Sequence, residues 1–424
     1  MTKHDLKWLL GALPVARFLR DHYERAIWYG SSPVETSLDF SRASFEALLW
    51  MDDHPSMVKL VSDGEPDISG ERTGEAHRAW VLQRYQEGCT IVFHGVERRS
   101  PRVAELQRNL EGDLGGMVSV NAYLTPPSAR GLSIHYDLQD TFIVQVEGTK
   151  LWHLFETRGA APLRNWPDAV DPTKLHRMRE VLLRPGQRLY VPRGTAHRAE
   201  SREDASLHLT IGLQPHLWTH VLNDLVEPWE RRDVRLRTSV PTTRAARAQD
   251  PTLIDVLSAL LAECRDATTV DRAYQRVVER TMLDLRPPPE GSLVDPESMR
   301  SLRVDHLVEK RAGMPCVTRR LGAGARLAFP GLGNGRSGPS AINGPVSLAP
   351  AFRFIARTQV PFPVSSLPGR LTDAAKLTLV RELIAHGLLR RCRTAREDPG
   401  RETNPQRITA ARARKPGKKS FSHC

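Results

Sequence analysis

Over residues 1 to about 60, apolar side chains recur at a helical spacing. Trp8, Leu9 and Leu10 are followed by Phe18 and Leu19, then Trp28, then Phe45, Leu48 and Leu49, which predicts helices. From Trp80 to about Leu124 helical and strand pieces mix. "CTIVFHGV" has the β-branched character of a strand, and "GGMVSVNAYLTPP" alternates until two prolines stop it. Residues 133–155 predict a hairpin: "TFIVQVE" alternates, Gly148 marks the turn, and "KLWHLF" returns against 141–147. Further on, "EVLLRPGQRLYVPRGTAHRAES" reads as a strand, a Pro-Gly turn, a strand and a second turn at Pro192–Gly194 that leads to His197. "ASLHLTIGLQP" is one more strand.

The period then returns to three and four. "LWTHVLNDLVEPW" and the apolar positions of 253–285 predict amphipathic helices, which Pro287, Pro288 and Pro289 end. "GLGNGRSGPSAINGP" (331–345) reads as a glycine-rich loop or linker. In "RLTDAAKLTLVRELIAHGLLRR", Thr372 is an N-cap, Leu377, Val380, Leu383 and Ile384 share a face, and Gly387 suits the C-terminal end. From Thr394 onward the chain is basic and polar without apolar period, the composition of a disordered tail. No internal repeat is visible.

Composition changes this picture in three ways. The 424 residues are 40% hydrophobic, enough for a large core and for two or three domains. The net charge of +12 is uneven: Arg391 to Cys424 carry ten Lys/Arg against three Asp/Glu, which leaves residues 1–390 mildly basic at +5. The cysteines at 89, 264, 316, 392 and 424 form no CxxC pair, so a structural zinc or a disulfide framework is not expected and a reducing cytoplasm fits best. No apolar run approaches the ~20 residues of a membrane span. "WLLGALPVARFL" weakly resembles a signal-peptide core, but Asp5 and Pro14 and the continuing helical pattern speak against that reading.

The chemistry concentrates in the β region. On a strand, His135 and Asp137 would point to one face and Tyr136 to the other. With His197 they would make two imidazoles and a carboxylate, the facial triad that holds Fe(II) and leaves positions open. A rival, His22-Tyr23-Glu24, lies in a helical stretch, where residues two apart do not share a face. Lys150 opens the strand after Gly148. If it is buried, its ammonium must be paired with an anion or lose its proton. Asn121 and Tyr123 would share one strand face beside it. Together these groups suit a small dicarboxylate; the alternatives are a lysine at a hairpin end and core polar groups bonded to backbone.

"VNAYLTPPSARGLSIHYDLQDTFIVQVEGTKLWHLF", "LYVPRGTAHRAES" and "LHLTIGL" together resemble the JmjC-type, cupin-fold 2-oxoglutarate oxygenases, and among them the ribosomal oxygenase group, which hydroxylates ribosomal proteins. The resemblance implies an α+β chain with a double-stranded β-helix (jelly roll, or cupin) core. Its parts would be a helical N-terminal part (1–89), the JmjC core (90–215), a helical dimerisation block (216–289), a winged-helix-like domain (290–391) and a basic disordered tail (392–424). It implies that His135, Asp137 and His197 are the iron ligands and the catalytic centre. Lys150 would bind the distal carboxylate of 2-oxoglutarate, with Asn121, Tyr123 and, from the last strand, Thr210 as co-substrate positions. Fe(II), 2-oxoglutarate and O2 follow as requirements. The partners implied are a protein or peptide substrate, a second copy of the chain and no membrane; the basic tail offers a contact to nucleic acid.

Two positions depart from the family's habit. Leu138 stands where an acid often follows the HxD aspartate, and Gln187 where an acid often follows the Pro-Gly turn. Neither is a ligand, but both bear on which substrate is accepted. A small-molecule hydroxylase would not need the long extension beyond the core. A non-catalytic binding protein of this fold would be expected to lack a ligand, and all three ligand types are present.

Overall fold

The computed structural model describes residues 4–31, 38–51, 55–62, 64–67, 72–156, 175–237, 264–285, 299–311, 313–331 and 338–392, with single positions among 162 and 255–262. The expected tail beyond Cys392, most of 238–263, the Pro287–Pro289 stop and residues 332–337 of the glycine-rich stretch lie outside the described residues.

Among the described residues of the first 115 lie the helices α1 (Leu6–Leu10), α2 (Val15–Asp21), α3 (Arg42–Met51), α4 (Gly74–Gln86) and α5 (Pro101–Leu114). Among them lie β1 (Trp28–Ser31), β2 (Val58–Ser62), β3 (Glu65–Asp67) and β4 (Thr90–Phe93). The all-helical expectation for residues 1–60 is therefore corrected at Trp28 and Val58. Both strands are short and lie toward the edges of a sheet built by later residues, and spacing along the chain does not reveal such pairing.

The core strands are β5 (Met117–Thr125), β6 (Asp140–Glu147), β7 (Lys150–Phe155), β8 (Arg177–Leu183), β9 (Gln187–Val191), β10 (His197–Ser201) and β11 (Ser206–Gln214). They form two antiparallel sheets, of order β1-β9-β6-β11-β5-β4-β2-β3 and β10-β7-β8. The chain passes repeatedly between the sheets, at β6 to β7, β8 to β9, β9 to β10 and β10 to β11, which is the jelly-roll winding. The expected hairpin is thereby corrected, because β7 does not pair with β6. β6 pairs with β9 and β11, and β7 with β8 and β10. Gly148 turns the corner with φ +63, and a Cβ there would lie 2.0 Å from the Ala205 carbonyl oxygen. Both restrictions favour glycine.

Burial follows from this layering. Phe142 and Val144 of β6 join Val120, Ala122, Leu209 and Ile211 in a core beneath the helices, with Phe18, Phe45, Leu106 and Leu110. Ile143 faces the other way, toward Trp152, Leu154, Val181 and Leu189 between the sheets. A strand buried on both faces reads as a near-continuous apolar run, as β6 does.

Beyond the barrel, α6 (Trp218–Arg232) packs Val221 and Leu225 on Ala273 and Val277 of α7 (Ala267–Asp284). The buried Asp224 carboxylate is paired with Arg276 and Arg280. The C-terminal region has two three-stranded sheets. One contains β12 (Leu307–Lys310), β16 (Phe362–Pro363) and β17 (Leu389–Arg391); the other contains β13 (Val317–Leu321), β14 (Gly324–Gly331) and β15 (Gly338–Pro345). With α8 (Ala349–Arg357) and α9 (Asp373–Ala385) they enclose a separate core including Leu327, Phe329, Phe352, Val380 and Leu383. The loop expected over 331–345 is corrected for its second half, since 338–345 pairs along the whole of β14. Thr372 caps α9 by accepting from the Ala375 amide at 3.2 Å, and Gly387 follows the helix with φ +81.

Candidate active site

The site lies between the two sheets. His135 and Asp137 are not on a ladder strand, which corrects their expected setting. They follow "TPPSARGLS", whose prolines cannot donate to a ladder, and His135 makes a single isolated bridge to His197. The His135 amide donates to the His197 carbonyl at 3.1 Å, and the His197 amide donates back at 2.8 Å. The Gly194 amide donates to the Asp137 carbonyl at 2.9 Å, so the loop is tied at both ends to the turn before β10.

This stitching brings the three side chains together. One ligand atom from each of His135, Asp137 and His197 lies within 4.8 Å of the others. Each imidazole Nε2 stands 3.8 Å from an Asp137 carboxylate oxygen. The Nδ1 atoms face backbone carbonyls, His135 that of Ser133 at 2.7 Å and His197 that of Thr195 at 2.9 Å. A carbonyl only accepts, so each Nδ1 carries the proton and each Nε2 presents its lone pair to the centre. Burial holds the His197 pKa below its ordinary value, against the opposing charge of Asp137, which favours the neutral imidazole a metal requires. These donors fit a divalent transition metal.

Ser133 is itself fixed. Its amide donates to the Gly64 carbonyl at 2.9 Å, and a Cβ on Gly64 (φ +92) would strike the Ser133 hydroxyl at 2.3 Å. On the other side, the buried Asp140 accepts from the Tyr190 hydroxyl at 2.8 Å and from Arg193 Nη1 at 2.5 Å. The same guanidinium reaches Glu24 at 2.8 Å. The rival pair is thus otherwise engaged, with Glu24 on Arg193 and His22 stacked on Phe18.

A cavity of about 120 Å³ opens beside the three ligands. Lys150 lies at its wall, 2% exposed, donating to the Thr125 hydroxyl at 2.7 Å. Burial pulls its pKa down to about 7. No carboxylate faces it among the described residues. Tyr123 and Thr210 also line the cavity. Burial, then the Asp137 charge, push the Tyr123 phenol up, so it stays protonated. Asn121 is not brought in. It sits past the end of β4, where its side-chain oxygen accepts the Gly95 amide at 3.2 Å and so satisfies the turn that follows β4.

Three lining groups escaped the sequence reading. Trp152 packs its ring against His197, centroids 5.8 Å apart. His208 stacks on Tyr123 at 4.9 Å and is held neutral by burial and by the Lys150 charge. The Thr141 hydroxyl donates to Asp137 at 3.3 Å. Strand alternation could have found two of them, since Trp152 lies two positions from Lys150 and His208 two from Thr210.

Comparison with known proteins gives a consistent result. Residues 96–221 match the JmjC domain. Ribosomal oxygenase 2 of Mus musculus is 33% identical over 198 residues, 43% of this chain and 42% of the relative. Ribosomal oxygenase 1 of Gallus gallus is 28% identical over 308 residues, 66% of this chain and 51% of the relative. The chain spans about half or less of these relatives' length. The solved structure of Escherichia coli ribosomal oxygenase YcfD in complex with cobalt and 2-oxoglutarate superposes with a TM-score of 0.57 at 18% identity, over 90% of this chain and 98% of that one. The two share the fold.

Proposed function

We propose that this chain, whose residues 96–221 form a JmjC domain, is an Fe(II)- and 2-oxoglutarate-dependent hydroxylase of a protein side chain, with a ribosomal protein as the substrate class. One observation carries the reading: two imidazoles and a carboxylate converge beside a cavity that holds a buried ammonium without a carboxylate partner. Iron with 2-oxoglutarate supplies the activation of O2 that places an oxygen atom on a C–H bond. The protein's own groups hold and shield. His135, Asp137 and His197 would bind the metal from one side. Lys150, steadied by Thr125, would take the far carboxylate, a charge-assisted contact. Tyr123, Thr210 and His208 offer hydrogen-bonding groups along the same cavity, and Ile143, Trp152 and Ala199 keep water out. The cavity has room for a small dicarboxylate beside the ligands, and a side chain of a larger molecule would approach the centre from outside.

The exposed apolar residues Trp218, Leu222 and Tyr274 on α6 and α7 support a homodimer through 216–289. The described residues of 299–391 suit a winged-helix-like assembly domain spanning 290–391. No helix among the described residues is long and apolar enough to cross a membrane, and we place the protein in the cytoplasm, where Cys89, Cys264, Cys316 and Cys392 would stay unpaired. The test of activity is incubation with Fe(II), 2-oxoglutarate and ribosomal protein from cells lacking the enzyme, followed by mass spectrometry. A gain of one oxygen on one protein, absent with His135→Ala, is expected; 2-oxoglutarate turnover unchanged in His135→Ala would overturn the assignment. For the dimer, Trp218→Asp with Leu222→Asp should halve the mass by light scattering.

A further inference from the structure

We propose that the C-terminal domain, residues 299–392, is a docking surface for the phosphate backbone of RNA. Resolving the charge by domain shows why. Residues 1–298 hold 37 Lys/Arg and 42 Asp/Glu, a net of −5. Residues 299–392 hold 15 Lys/Arg and 4 Asp/Glu, a net of +11, and the remaining 32 residues add +6. The mildly basic average over 1–390 thus conceals an acidic catalytic part joined to a strongly basic folded module.

A merely solvated surface mixes both signs, as residues 1–298 do. Here the imbalance is specific in kind and in place. Thirteen of the fifteen cations are arginines, whose planar fork suits phosphate oxygens. Arg300, Arg320, Arg353, Arg357 and Arg370 are exposed, and none is paired with a carboxylate among the described residues. Arg353 and Arg357 stand one helical turn apart on α8, opposite the buried Ala351, Phe352 and Ile355. α8 packs on β13, where Arg320 pairs in register with Ala325 and so lies on the face that meets the α8 core. Lys310 is anchored beside the end of the same helix by donating to the Ala356 carbonyl at 2.9 Å. Two of the domain's four acids pair within it, Asp305 on Arg303 and Glu309 on Arg390. The other two, Asp373 and Glu382, are exposed, so what remains outward is an arginine-rich surface with few counter-charges.

Phosphodiester chemistry is shared by RNA and DNA. The choice of RNA rests on the proposed function, because a ribosomal protein substrate lies among RNA phosphates. The competing occupant is the acidic 1–298 part of a second copy.

The test measures binding of the full-length protein to labelled single-stranded and duplex RNA by fluorescence anisotropy across a salt series, without iron or 2-oxoglutarate. His135→Ala protein is measured in parallel, so that failure of the oxygenase reading leaves this result standing. Duplex DNA, polyglutamate and phosphatidylserine vesicles serve as competitors. Each phosphate contact contributes about 0.7 to 0.9 to the slope of log affinity against log salt. The triple variant Arg320→Ala, Arg353→Ala, Arg357→Ala should lower that slope by about two to three and weaken RNA binding by about tenfold or more. The single variant Arg353→Glu, fully at the surface, should weaken it in the same direction if the triple variant folds poorly. Absence of salt-dependent RNA binding overturns the proposal. So does binding unchanged in both variants, which assigns it to the tail, and so does equal competition by DNA, polyglutamate or vesicles. A mass that doubles at low salt without RNA, and does not in the triple variant, would show that the face meets a second copy instead.

Discussion

Between the two jelly-roll sheets lie Lys150, His197, His208, Thr90 and Thr125, all less than a tenth exposed. The core of the C-terminal domain holds Leu327, Phe329, Phe352, Ile355, Val380 and Leu383, and among its described cations Arg311 alone is buried. Leaving a buried polar group without its partner costs about 1–3 kcal/mol. The jelly roll concentrates such groups in one cavity and accepts that cost where a ligand would lift it. The C-terminal domain buries Arg311 and Ser340 but carries most of its charge at or near the surface. Interior polarity therefore points to a ligand taken inside, and exterior polarity of one sign to a partner met at the surface.

The sharpest way to break the comparison is at the metal. Asp137→Ala removes the one carboxylate of the proposed ligand set, and we expect loss of metal retention, read by elemental analysis, with the circular dichroism spectrum unchanged. Retention equal to wild type would leave the trio a structural hydrogen-bonding group. His22→Ala should be silent in the same measurement.

Next in size is the other core. Phe352→Ala empties a fully buried site, and a loss of about 3–5 kcal/mol is expected. Because the C-terminal core is separate, calorimetry should show that domain melting early while metal binding by the remainder persists. A single shared transition would mean that the two regions unfold as one.

Lys150 offers a smaller and more diagnostic change. Lys150→Ala removes a charge-assisted contact of about 1.5–3 kcal/mol, so 2-oxoglutarate affinity should fall by about one to two decades while metal binding holds. Lys150→Met should instead raise the melting temperature of the ligand-free protein, since it removes the buried ammonium. A Met variant less stable than wild type would show that the ammonium serves packing, and that the cavity obeys the same rule as the C-terminal core.

The smallest effect is with pH. The folded Lys150 pKa of about 7 lies below its ordinary 10.5. Between those values the unfolded chain binds more protons, so this group's contribution to stability rises as pH increases from about 7 to 10.5 and is flat below. With Lys150 binding the far carboxylate as proposed, 2-oxoglutarate affinity should weaken above pH 7. The groups facing Lys150 are the Thr125 hydroxyl and the neutral His208, and neither supplies a counter-charge. Lys150→Arg should flatten the affinity profile, which titration calorimetry at several pH values would read.

Much of this was legible in residue order. Alternation marked β5 to β7, β9 and β11, the three-four period marked α6, α7 and α9, and Thr372 and Gly387 bounded α9. The HxD pair, His197 and Lys150 were visible as residue types in a recognisable order. What order along the chain could not convey was pairing. Gly148 announces a turn whether the next strand returns beside the last or crosses to the other sheet, and here it crosses, so Lys150 faces inward beneath Thr125 rather than at a hairpin edge. Asn121 and Tyr123 share a strand face, yet Tyr123 lines the cavity while the Asn121 side-chain oxygen, past the end of β4, accepts the Gly95 amide. Local propensity is written in neighbouring residues. Which distant strand lies alongside, and hence which polar side chain is left for a ligand, is decided by contacts between residues far apart in sequence: His135 with His197, Gly64 with Ser133, and Thr125 with Lys150.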